Sequence, residues 1–425
     1  MTSLASGLES LLHQDRMRVL RTCADVASRR GVDLYLVGGA VRDLIMARLS
    51  PDPDLDMAGP RVDRRFAAEL AGELGGRFVA SSLFGTFKLL VPAPGSDHGP
   101  AMEIDLVTSR SETYSEPGAL PQIRPGTLDQ DLARRDFSIG AMCMVMAPPA
   151  GSPLSWGDLI DPFCGRGDIE RGLVRVLHPG SFIDDPTRIF RAVRYATRLG
   201  FAIEERTASM MEEALLYVNR LSGDRVRHEL ERIFDEAETG RVLELAGRLG
   251  VLEAVFPDMG AEPGIFSPAR YPEGTWGWDE WIGLLACSVP PGRARALAER
   301  LNLGSRATGV VLDVEAIKGV DWPAGTAPVR PSEVYALISP RSRASIRACA
   351  AATTDEVHRE AMTNYLESLA DTAPELTGGD ILAMGVPEGP TVGRLLRELL
   401  YARLDGEVTS LEEERRFVLS RISRS

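Results

Sequence analysis

The spacing of hydrophobic residues differs between the first part of the chain and the rest. In the first part, short apolar runs such as residues 33–37 and 86–91 alternate with segments whose apolar residues recur every three or four positions. Short apolar runs predict buried strands, whereas the longer spacing predicts helices with one buried face. Strands alternating with helices predict an α/β domain. The predicted strands are 33–37, 54–58, 77–80, 86–91, 102–108 and 138–146, and the predicted helices are 1–30, 40–48 and 61–74.

From residue 185 onward, helical spacing replaces the strand pattern. Helices are predicted at 186–199, 205–216 and 224–235, and two more in a final segment, 377–419. Links rich in Pro and Gly interrupt the helices between 243 and 353, and there is no internal repeat of 20 to 50 residues that would indicate a solenoid. We therefore expect a mixed-sheet α/β head with flanking helices (1–180), followed by an all-α neck (181–238), body (239–370) and tail (371–425).

Composition narrows the class of protein. The chain has 425 residues, 44% of them hydrophobic and 26% charged, which is typical of a folded globular protein with several domains. There is no apolar run of 18 residues and no secretory signal pattern, so neither a membrane span nor export is expected. The five cysteines are widely spaced and fit neither a disulfide framework nor a zinc ribbon. A reducing, cytoplasmic location is expected.

The charge balance limits how nucleic acid could be bound. A net charge of −13 argues against non-specific polyanion binding over the whole surface, but it leaves room for a local basic patch. Lys88 and Lys318 are the only lysines, so arginine supplies nearly all of the positive charge. Nucleotide bias of the genome is the simpler explanation, and arginine abundance alone indicates no function.

Two short patterns in the first part are typical of phosphate and metal chemistry. Gly38 and Gly39 follow a predicted strand and precede a helix, where backbone N–H groups can meet a phosphate; a tight turn is the alternative. Asp54 and Asp56 lie on one face of a strand, and two carboxylates that close repel unless a divalent cation neutralises them. A solvated turn is the alternative there.

A later strand repeats the carboxylate pattern. Glu103 and Asp105 share one face of the predicted strand 102–108 and could supply the third carboxylate of a site for two metal ions. The alternative is an edge strand whose charges prevent aggregation. Spacing alone does not choose between Glu103 and Asp105.

Five motifs in a fixed order resemble the class II tRNA nucleotidyltransferases, with bacterial poly(A) polymerases as near relatives, within the polymerase-beta-like nucleotidyltransferase superfamily. The resemblance covers residues 30–235. The motifs are residues 36–43 (LVGGAVRD), Asp54-Leu55-Asp56, Arg134-Arg135-Asp136, residues 161–168 (DPFCGRGD) and residues 184–195 (DDPTRIFRAVRY). Asp105, five residues before Arg110, stands where that family has its third carboxylate.

The resemblance implies template-independent addition of C and A, from CTP and ATP, to the tRNA 3′ end by a two-metal mechanism with Mg²⁺. It implies that Asp54, Asp56 and Asp105 are the catalytic metal ligands. The implied nucleotide-binding residues are Gly38, Gly39, Arg42, Arg135, Asp136, Asp185, Arg188, Arg191 and Arg194. No obligate protein partner is expected, and the tail, with Arg394 and Arg397 on one helix, is expected to bind the tRNA.

Base selection can be explained chemically at Asp185 and Arg188. Cytosine and adenine both present an amino donor beside a ring-nitrogen acceptor, whereas guanine and uracil do not. A carboxylate at Asp185 and a guanidinium at Arg188 would match that edge. Asp185 before Pro186 is also a suitable helix cap. Arg188, Arg191, Arg194 and Arg198 share a helix face that either meets triphosphate and RNA or pairs with carboxylates such as Glu204 and Glu205.

Several alternatives stay open from the sequence. An enzyme that adds only CC or only A would carry the same motifs, and the flexible segment that governs the switch could be 92–100 or 111–126. A poly(A) polymerase is disfavoured because a long basic C-terminal extension is missing. A non-catalytic RNA-binding protein is disfavoured because clustered carboxylates without a cation are costly. Asp224-Arg225 stands where relatives tend to have Glu-Arg, and Trp276, Trp278 and Trp281 are expected in the body core.

Overall fold

The structure is a computed structural model that describes residues 4–51, 53–81, 85–92, 102–257, 259, 264–267, 270, 275–322 and 329–422. The chain divides into two compact units, Met1–Leu221 and Ser222–Ser425. The boundaries predicted above for head, neck, body and tail stay a prediction. In the described part of the chain, no helix is long and apolar enough to cross a bilayer.

The first unit mixes strands and helices. Its elements in chain order are α1 (Ala5–Leu11), α2 (Gln14–Arg30), β1 (Leu34–Val37), α3 (Gly39–Ile45), β2 (Leu55–Gly59), α4 (Arg64–Glu73), β3 (Arg77–Ser81), β4 (Thr86–Val91), β5 (Met102–Thr108), β6 (Arg110–Thr113), β7 (Gln122–Pro125), α5 (Leu128–Ala133), β8 (Cys143–Ala147), β9 (Leu159–Ile160), α6 (Gly165–Arg171), β10 (Leu173–Val174), α7 (Ser181–Asp184), α8 (Thr187–Leu199), β11 (Ala202–Ile203) and α9 (Glu205–Ala214).

A mixed seven-stranded sheet forms the centre of this unit, in the order β3-β4-β5-β2-β1-β8-β9. Strands β2 and β5 pair in parallel, and the other neighbours pair antiparallel. One face packs against α2 and α4 through a core that includes Leu20, Val26, Phe66, Leu36 and Ile104. The predicted mixed sheet with flanking helices is confirmed.

The opposite face of the sheet is open over β2 and β5. Alternate residues of these strands point to opposite faces, so Leu55 and Met57 enter the core while Asp56 faces away from it. A smaller apolar cluster, containing Tyr35, Val37 and Val145, covers part of this second face. The polar side chains of the sheet are therefore gathered beside that cluster.

Two predicted elements of the first unit were wrong. Residues 1–30 form two helices because His13 is extended (φ −60°, ψ 145°) between them. Residues 138–146 are not one strand: Ser138–Gly140 is a single 3₁₀ turn, and β8 begins at Cys143. The Ser138 hydroxyl donates to Asp168 Oδ2 at 2.6 Å and its N–H donates to Arg175 O at 2.9 Å, so its backbone is held outside the sheet.

The second unit is helical, as predicted. Its elements are α10 (Gly223–Phe234), α11 (Thr239–Arg248), α12 (Val251–Val255), α13 (Trp278–Cys287), α14 (Ala294–Arg300), α15 (Ser305–Lys318), α16 (Pro331–Ile338), α17 (Arg343–Ala352), α18 (Glu356–Asn364), α19 (Gly378–Ala383), α20 (Pro390–Leu404) and α21 (Leu411–Ile422).

The aromatic residues near α13 are part of the core of this second unit. The Trp281 ring is buried, and it stacks with Phe234 at a centroid distance of 6.2 Å and contacts Trp276 at 5.0 Å. Trp278 lies 5.0 Å from the same Phe234 ring. The expectation of a core position is confirmed for Trp281, whereas Trp276 and Trp278 are half-buried beside it.

The final segment contains three helices, α19 to α21, where the sequence predicted two. Gly385 (φ +94°) and Gly389 (φ +148°) hold backbone conformations that side chains disfavour, and they separate α19 from α20. The three helices share a small core that includes Ile381, Leu399 and Val418. Arg394 and Arg397 are exposed on α20.

Candidate active site

A tight turn from β1 into α3 begins the candidate site. Gly38 has φ +74°, a left-handed conformation that favours glycine. A Cβ at this position would lie 3.3 Å from Arg135 Nη1 and 4.0 Å from Asp56 Oδ2. The glycine therefore lets the backbone approach both a guanidinium and a carboxylate closely.

The parallel pairing of β2 and β5 places two carboxylates side by side. Asp56 and Asp105 are direct partners in the strand register, so their side chains share one face of the sheet. Asp54 is exposed and immediately precedes β2. Partial burial and then the charge of Asp105 raise the pKa of Asp56, and partial burial raises that of Asp105, with Glu103 and Asp54 adding to the effect. The three aspartates thus repel one another.

Of the two acidic residues of β5, Asp105 is partly buried, whereas Glu103 forms an ion pair with Lys88. Asp105 Oδ1 is buried and accepts no hydrogen bond from the described residues, while Lys88 Nζ lies 3.9 Å away. The same ammonium binds Glu103 Oε2 at 2.6 Å. An orphaned carboxylate oxygen beside like charges is the kind of hard donor that suits Mg²⁺. Among the described residues, however, no three His, Cys, Asp or Glu side chains are gathered into a ready metal cluster.

Helix α5 and the residues after it hold Arg135 and Arg134 in place. Thr127 and Gln130 form a reciprocal capping box at the start of α5. Asp131 is fully buried; its Oδ1 accepts from Arg134 Nη2 at 2.8 Å and its Oδ2 from Arg135 Nη2 at 3.2 Å. Arg135 Nη1 also donates to Gly140 O at 3.2 Å. These two hydrogen bonds hold the Arg135 guanidinium in place.

Asp136 forms an ion pair with α8. Its Oδ1 accepts from the Phe137 N–H at 2.9 Å, and its Oδ2 accepts from Arg191 Nε at 2.7 Å. Burial opposes ionisation, but the charge and hydrogen bond of Arg191 outweigh it, so the pKa of Asp136 lies below its usual range. Asp136 is held as a carboxylate that orients Arg191.

Four guanidinium groups surround the Tyr195 ring. Arg42 from α3 and three arginines of α8 lie with Cζ 5.7–5.9 Å from the ring centroid: Arg191, Arg194 and Arg198. Such cation–π contacts let cations gather around one side chain. The sequence indicated the arginine spacing but not that Tyr195 would be its centre, because Arg42 comes from a distant segment.

These groups border one cleft of about 680 Å³. It brings together the predicted site residues Gly38, Gly39, Arg42, Asp54, Asp56, Arg135, Asp136 and Arg191, together with Tyr195, Arg198, Arg48 and Asp43. Asp43 lies in the motif 36–43 but was not singled out as a site residue. Arg48 was missed because a single charged residue outside the motifs carries no pattern. Asp105, Asp185, Arg188 and Arg194 do not line this cleft.

Arg188 and Arg194 are more buried than residues on a solvent-exposed helix face would be. Their exposed fractions are 5% and 7%. Arg188 Nη1 donates to Ser181 Oγ at 2.6 Å, and its Nη2 donates to Arg134 O at 2.6 Å. These two arginines are therefore not part of a solvated helix face, and their contact with nucleotide or RNA stays a prediction. The Glu204 carboxylate pairs with Arg175 at 3.2 Å, outside the predicted stripe.

Asp185 has a local structural contact. Its Oδ1 accepts from the Thr187 N–H at 3.1 Å and from Thr187 Oγ1 at 2.7 Å, at the start of α8. The prediction of Asp185 as the N-cap and Pro186 as the first helical residue is wrong by one position, because α8 begins at Thr187 and Pro186 is its N-cap. The Asp185 carboxylate nevertheless accepts from the first residue of the helix. The contact is compatible with a second role for the other carboxylate oxygen.

The segment 111–126 folds as a hairpin of β6 and β7. Glu112 Oε1 accepts from Arg110 Nε and Arg134 Nη1, both at 3.1 Å, and Glu112 Oε2 accepts from the Tyr114 hydroxyl at 3.1 Å. Burial and the Glu112 charge raise the pKa of Tyr114. The sequence did not single out this network. The other proposed flexible segment, 92–100, lies outside the described residues apart from Pro92.

Known proteins are similar to this chain in sequence and in fold. Residues 34–175 match the family described as "Poly A polymerase head domain", and residues 200–262 match the one described as "Probable RNA and SrmB- binding site of polymerase A". An A-adding tRNA nucleotidyltransferase of Geobacter sulfurreducens is 28% identical over 96% of this chain, but this chain spans only 47% of that relative's length. The match to another A-adding relative, from Halalkalibacterium halodurans, covers 53% of that relative's length.

Other relatives match over nearly their whole length. A CC-adding tRNA nucleotidyltransferase of Deinococcus radiodurans is 30% identical, with 92% of this chain and 90% of the relative covered. The solved structure of a CCA-adding enzyme with CTP aligns over 99% of both chains at 26% identity and a TM-score of 0.80. Together with the head-domain match, the extent of the Deinococcus similarity shows that this chain belongs to the tRNA nucleotidyltransferase family.

Proposed function

We propose that this chain is a template-independent nucleotidyltransferase that adds C and A, from CTP and ATP, to the 3′ end of tRNA. The observation that carries the proposal is the cleft that Gly38, Asp54 and Asp56 line together with Arg42 and Arg135. A site that combines carboxylates with guanidinium groups suits a metal–triphosphate complex. The same substrates are found in the cytoplasm, where we propose the protein acts.

Mg²⁺ would be held by Asp54, Asp56 and Asp105, whose mutual repulsion and orphaned oxygen fit a divalent cation. When bound, the metal supplies Lewis-acid stabilisation of phosphate charge and favours ionisation of an attacking hydroxyl. A role for Asp105 rather than Glu103 is supported by its register with Asp56 and by the bond between Glu103 and Lys88.

The remaining residues bind and orient the nucleotide. Gly38 and Gly39 would offer backbone N–H groups, and Arg42 and Arg135 would offer guanidinium groups, to the triphosphate. Asp136 would orient Arg191, which it already binds, and would place it toward the phosphates or ribose. Because these groups are anchored before substrate arrives, catalysis would come from positioning and electrostatics.

Asp185, Arg188 and Arg194 are proposed to act at the base end of the nucleotide. Support comes from the chemistry of the C and A edges and from the ties of Arg188 to Ser181 and to the Arg134 carbonyl. Those ties would fix the guanidinium while a base approached it. Arg194 would act through the cluster at Tyr195.

A second candidate is addition of A alone, since three relatives are named A-adding enzymes. The test uses tRNA transcripts lacking one, two or all three nucleotides of the CCA end, each with CTP, ATP or both, and resolves the products by length. Full extension of the shortest transcript supports the first proposal. Extension restricted to the transcript that lacks only A supports the second, and no extension of any transcript contradicts both.

A further inference from the structure

Two cysteines of the second unit face each other between neighbouring helices. Cys287 is the last residue of α13, and Cys349 lies within α17. Their sulfur atoms are 3.8 Å apart, and the residues are 8% and 6% exposed. A disulfide bond is about 2.05 Å long, so the two sulfur atoms need to approach by a little less than ~2 Å. Rotation of the two cysteine side chains can move the sulfur atoms by about that distance.

A cavity of about 400 Å³ reaches both sulfur-bearing residues. Cys287, Cys349, Lys318, Trp322 and His358 all contribute to its lining. The Trp322 and His358 rings stack there with centroids 4.8 Å apart. A cavity of this size admits a small oxidant such as a hydroperoxide, so low residue exposure does not seal the thiols from solution.

A cation lies beside the thiol pair. Lys318 Nζ donates to Cys287 O at 2.9 Å and to Val289 O at 2.6 Å, which places a cation on the wall of the cavity. The contact with Cys287 and burial raise the pKa of Cys349, and Lys318 partly offsets this. Because the thiolate is the nucleophile, a cation on this wall favours attack on an oxidant by the pair, in which either sulfur can be the donor.

We propose that Cys287 and Cys349 are a thiol pair that hydroperoxides oxidise to a disulfide. The sulfur of one cysteine attacks one peroxide oxygen, the O–O bond breaks, and water leaves as that cysteine becomes a sulfenic acid. The sulfur of the other cysteine then attacks the sulfenic acid sulfur and displaces the hydroxyl as a second water. Two thiols lose two electrons and two protons, and one hydrogen peroxide is reduced to two waters.

The cross-link would tie α13 to α17 and enclose the 62 positions that separate the cysteines. A disulfide that closes so long a loop restricts the unfolded chain and so stabilises the folded unit. The oxidised protein should have a higher Tm that returns to the starting value after reduction with dithiothreitol. This inference is independent of the proposed function.

The chain contains its own reference cysteines. Cys164 is exposed, whereas Cys23 and Cys143 are buried in the first unit, where burial raises the pKa of each thiol to about 12. Full-length reduced protein is treated with hydrogen peroxide, free thiols are alkylated, and peptides are mapped by mass. The expected product links the Cys287 and Cys349 peptides, lacks two hydrogen atoms and disappears after reduction. Cys23 and Cys143 should remain alkylatable after unfolding.

Two single variants test the sulfenic acid intermediate. With Cys349→Ser or Cys287→Ser, a dimedone adduct of the sulfenic acid should accumulate on the remaining cysteine of the pair in at least one of the variants. The absence of an adduct in both would overturn the stepwise route. The proposal itself is overturned if Cys287 and Cys349 stay alkylatable while Cys164 oxidises, or if the link forms equally fast in guanidinium chloride, where the native geometry is lost.

Discussion

Replacing Asp185 separates its capping contact from the base-reading role that we propose. The wild-type Oδ1 accepts from the Thr187 N–H at 3.1 Å and from its hydroxyl at 2.7 Å. Asp185→Asn keeps an oxygen in that position, and Asn caps helices about as well as Asp. We therefore expect the free energy of unfolding to stay within about 1 kcal/mol of the wild-type value.

The effect on nucleotide selection should be larger. Asn replaces an acceptor oxygen with an amide donor, which would face the amino donor that cytosine and adenine share. A good bidentate base contact contributes about 1–3 kcal/mol of discrimination. The ratio of kcat/KM for CTP or ATP to that for UTP or GTP should thus fall by about 5- to 150-fold, measured with tRNA transcripts under single-turnover conditions.

Thr187→Val is the matched control, because it removes the hydroxyl donor to Asp185 but leaves the carboxylate in place. It should alter stability slightly and leave the selectivity ratio unchanged. Arg188→Ala would be a poor control, since it also breaks the bonds to Ser181 and to the Arg134 carbonyl. If Asp185→Asn lowers stability but keeps full selectivity, Asp185 is a helix cap and the base-reading role is refuted.

Three further predictions follow from charge. Asp56→Asn should abolish nucleotide addition. Without Mg²⁺ at pH 7 it should raise the free energy of unfolding by about 0.5 kcal/mol, a small gain because solvent screens the exposed Asp56. Since the pKa of Asp56 is raised, this gain should vanish below the ordinary Asp pKa of about 3.9. Asp136, whose pKa is lowered, should stabilise the fold above about pH 3.9 and lose that contribution as pH falls further, so Asp136→Asn should cost about 2 kcal/mol at pH 7 and flatten the acid side of the Tm profile. Replacing exposed Arg394 and Arg397 with Ala should raise KM for tRNA more than for nucleotide and reduce the log–log salt slope by about 1.8.

Each of these has a result that would contradict it. Normal turnover of Asp56→Asn at saturating Mg²⁺ would remove the proposed metal site. An acid transition unchanged in Asp136→Asn would mean that its ion pair with Arg191 contributes no pH-dependent stability. An unchanged tRNA KM and salt slope in the Arg394 and Arg397 double variant would separate that face of α20 from tRNA binding.

The sequence alone predicted most of the strands and helices and their order along the chain. The predicted strands 102–108 and 86–91 matched β5 and β4, whose residues alternate between buried and more exposed positions as a strand with one buried face requires. The motifs also indicated most residues of the cleft before their positions were known. The extended backbone at His13 and the 3₁₀ turn at Ser138 were missed because both residues bond to distant parts of the chain. The His13 N–H donates to Pro51 O at 3.4 Å, and the Ser138 hydroxyl donates to Asp168 Oδ2 at 2.6 Å.

Tertiary structure decided which of the indicated residues meet. Spacing left Glu103 and Asp105 equivalent, and only the parallel register of β2 and β5 made Asp105 the neighbour of Asp56. Spacing also put four arginines on one helix face, but packing buried Arg188 against Ser181 and the Arg134 carbonyl. A sequence pattern reports which side chains share a face of one element. Which element covers that face is a long-range packing outcome, so the cleft could be assembled only once the fold was known.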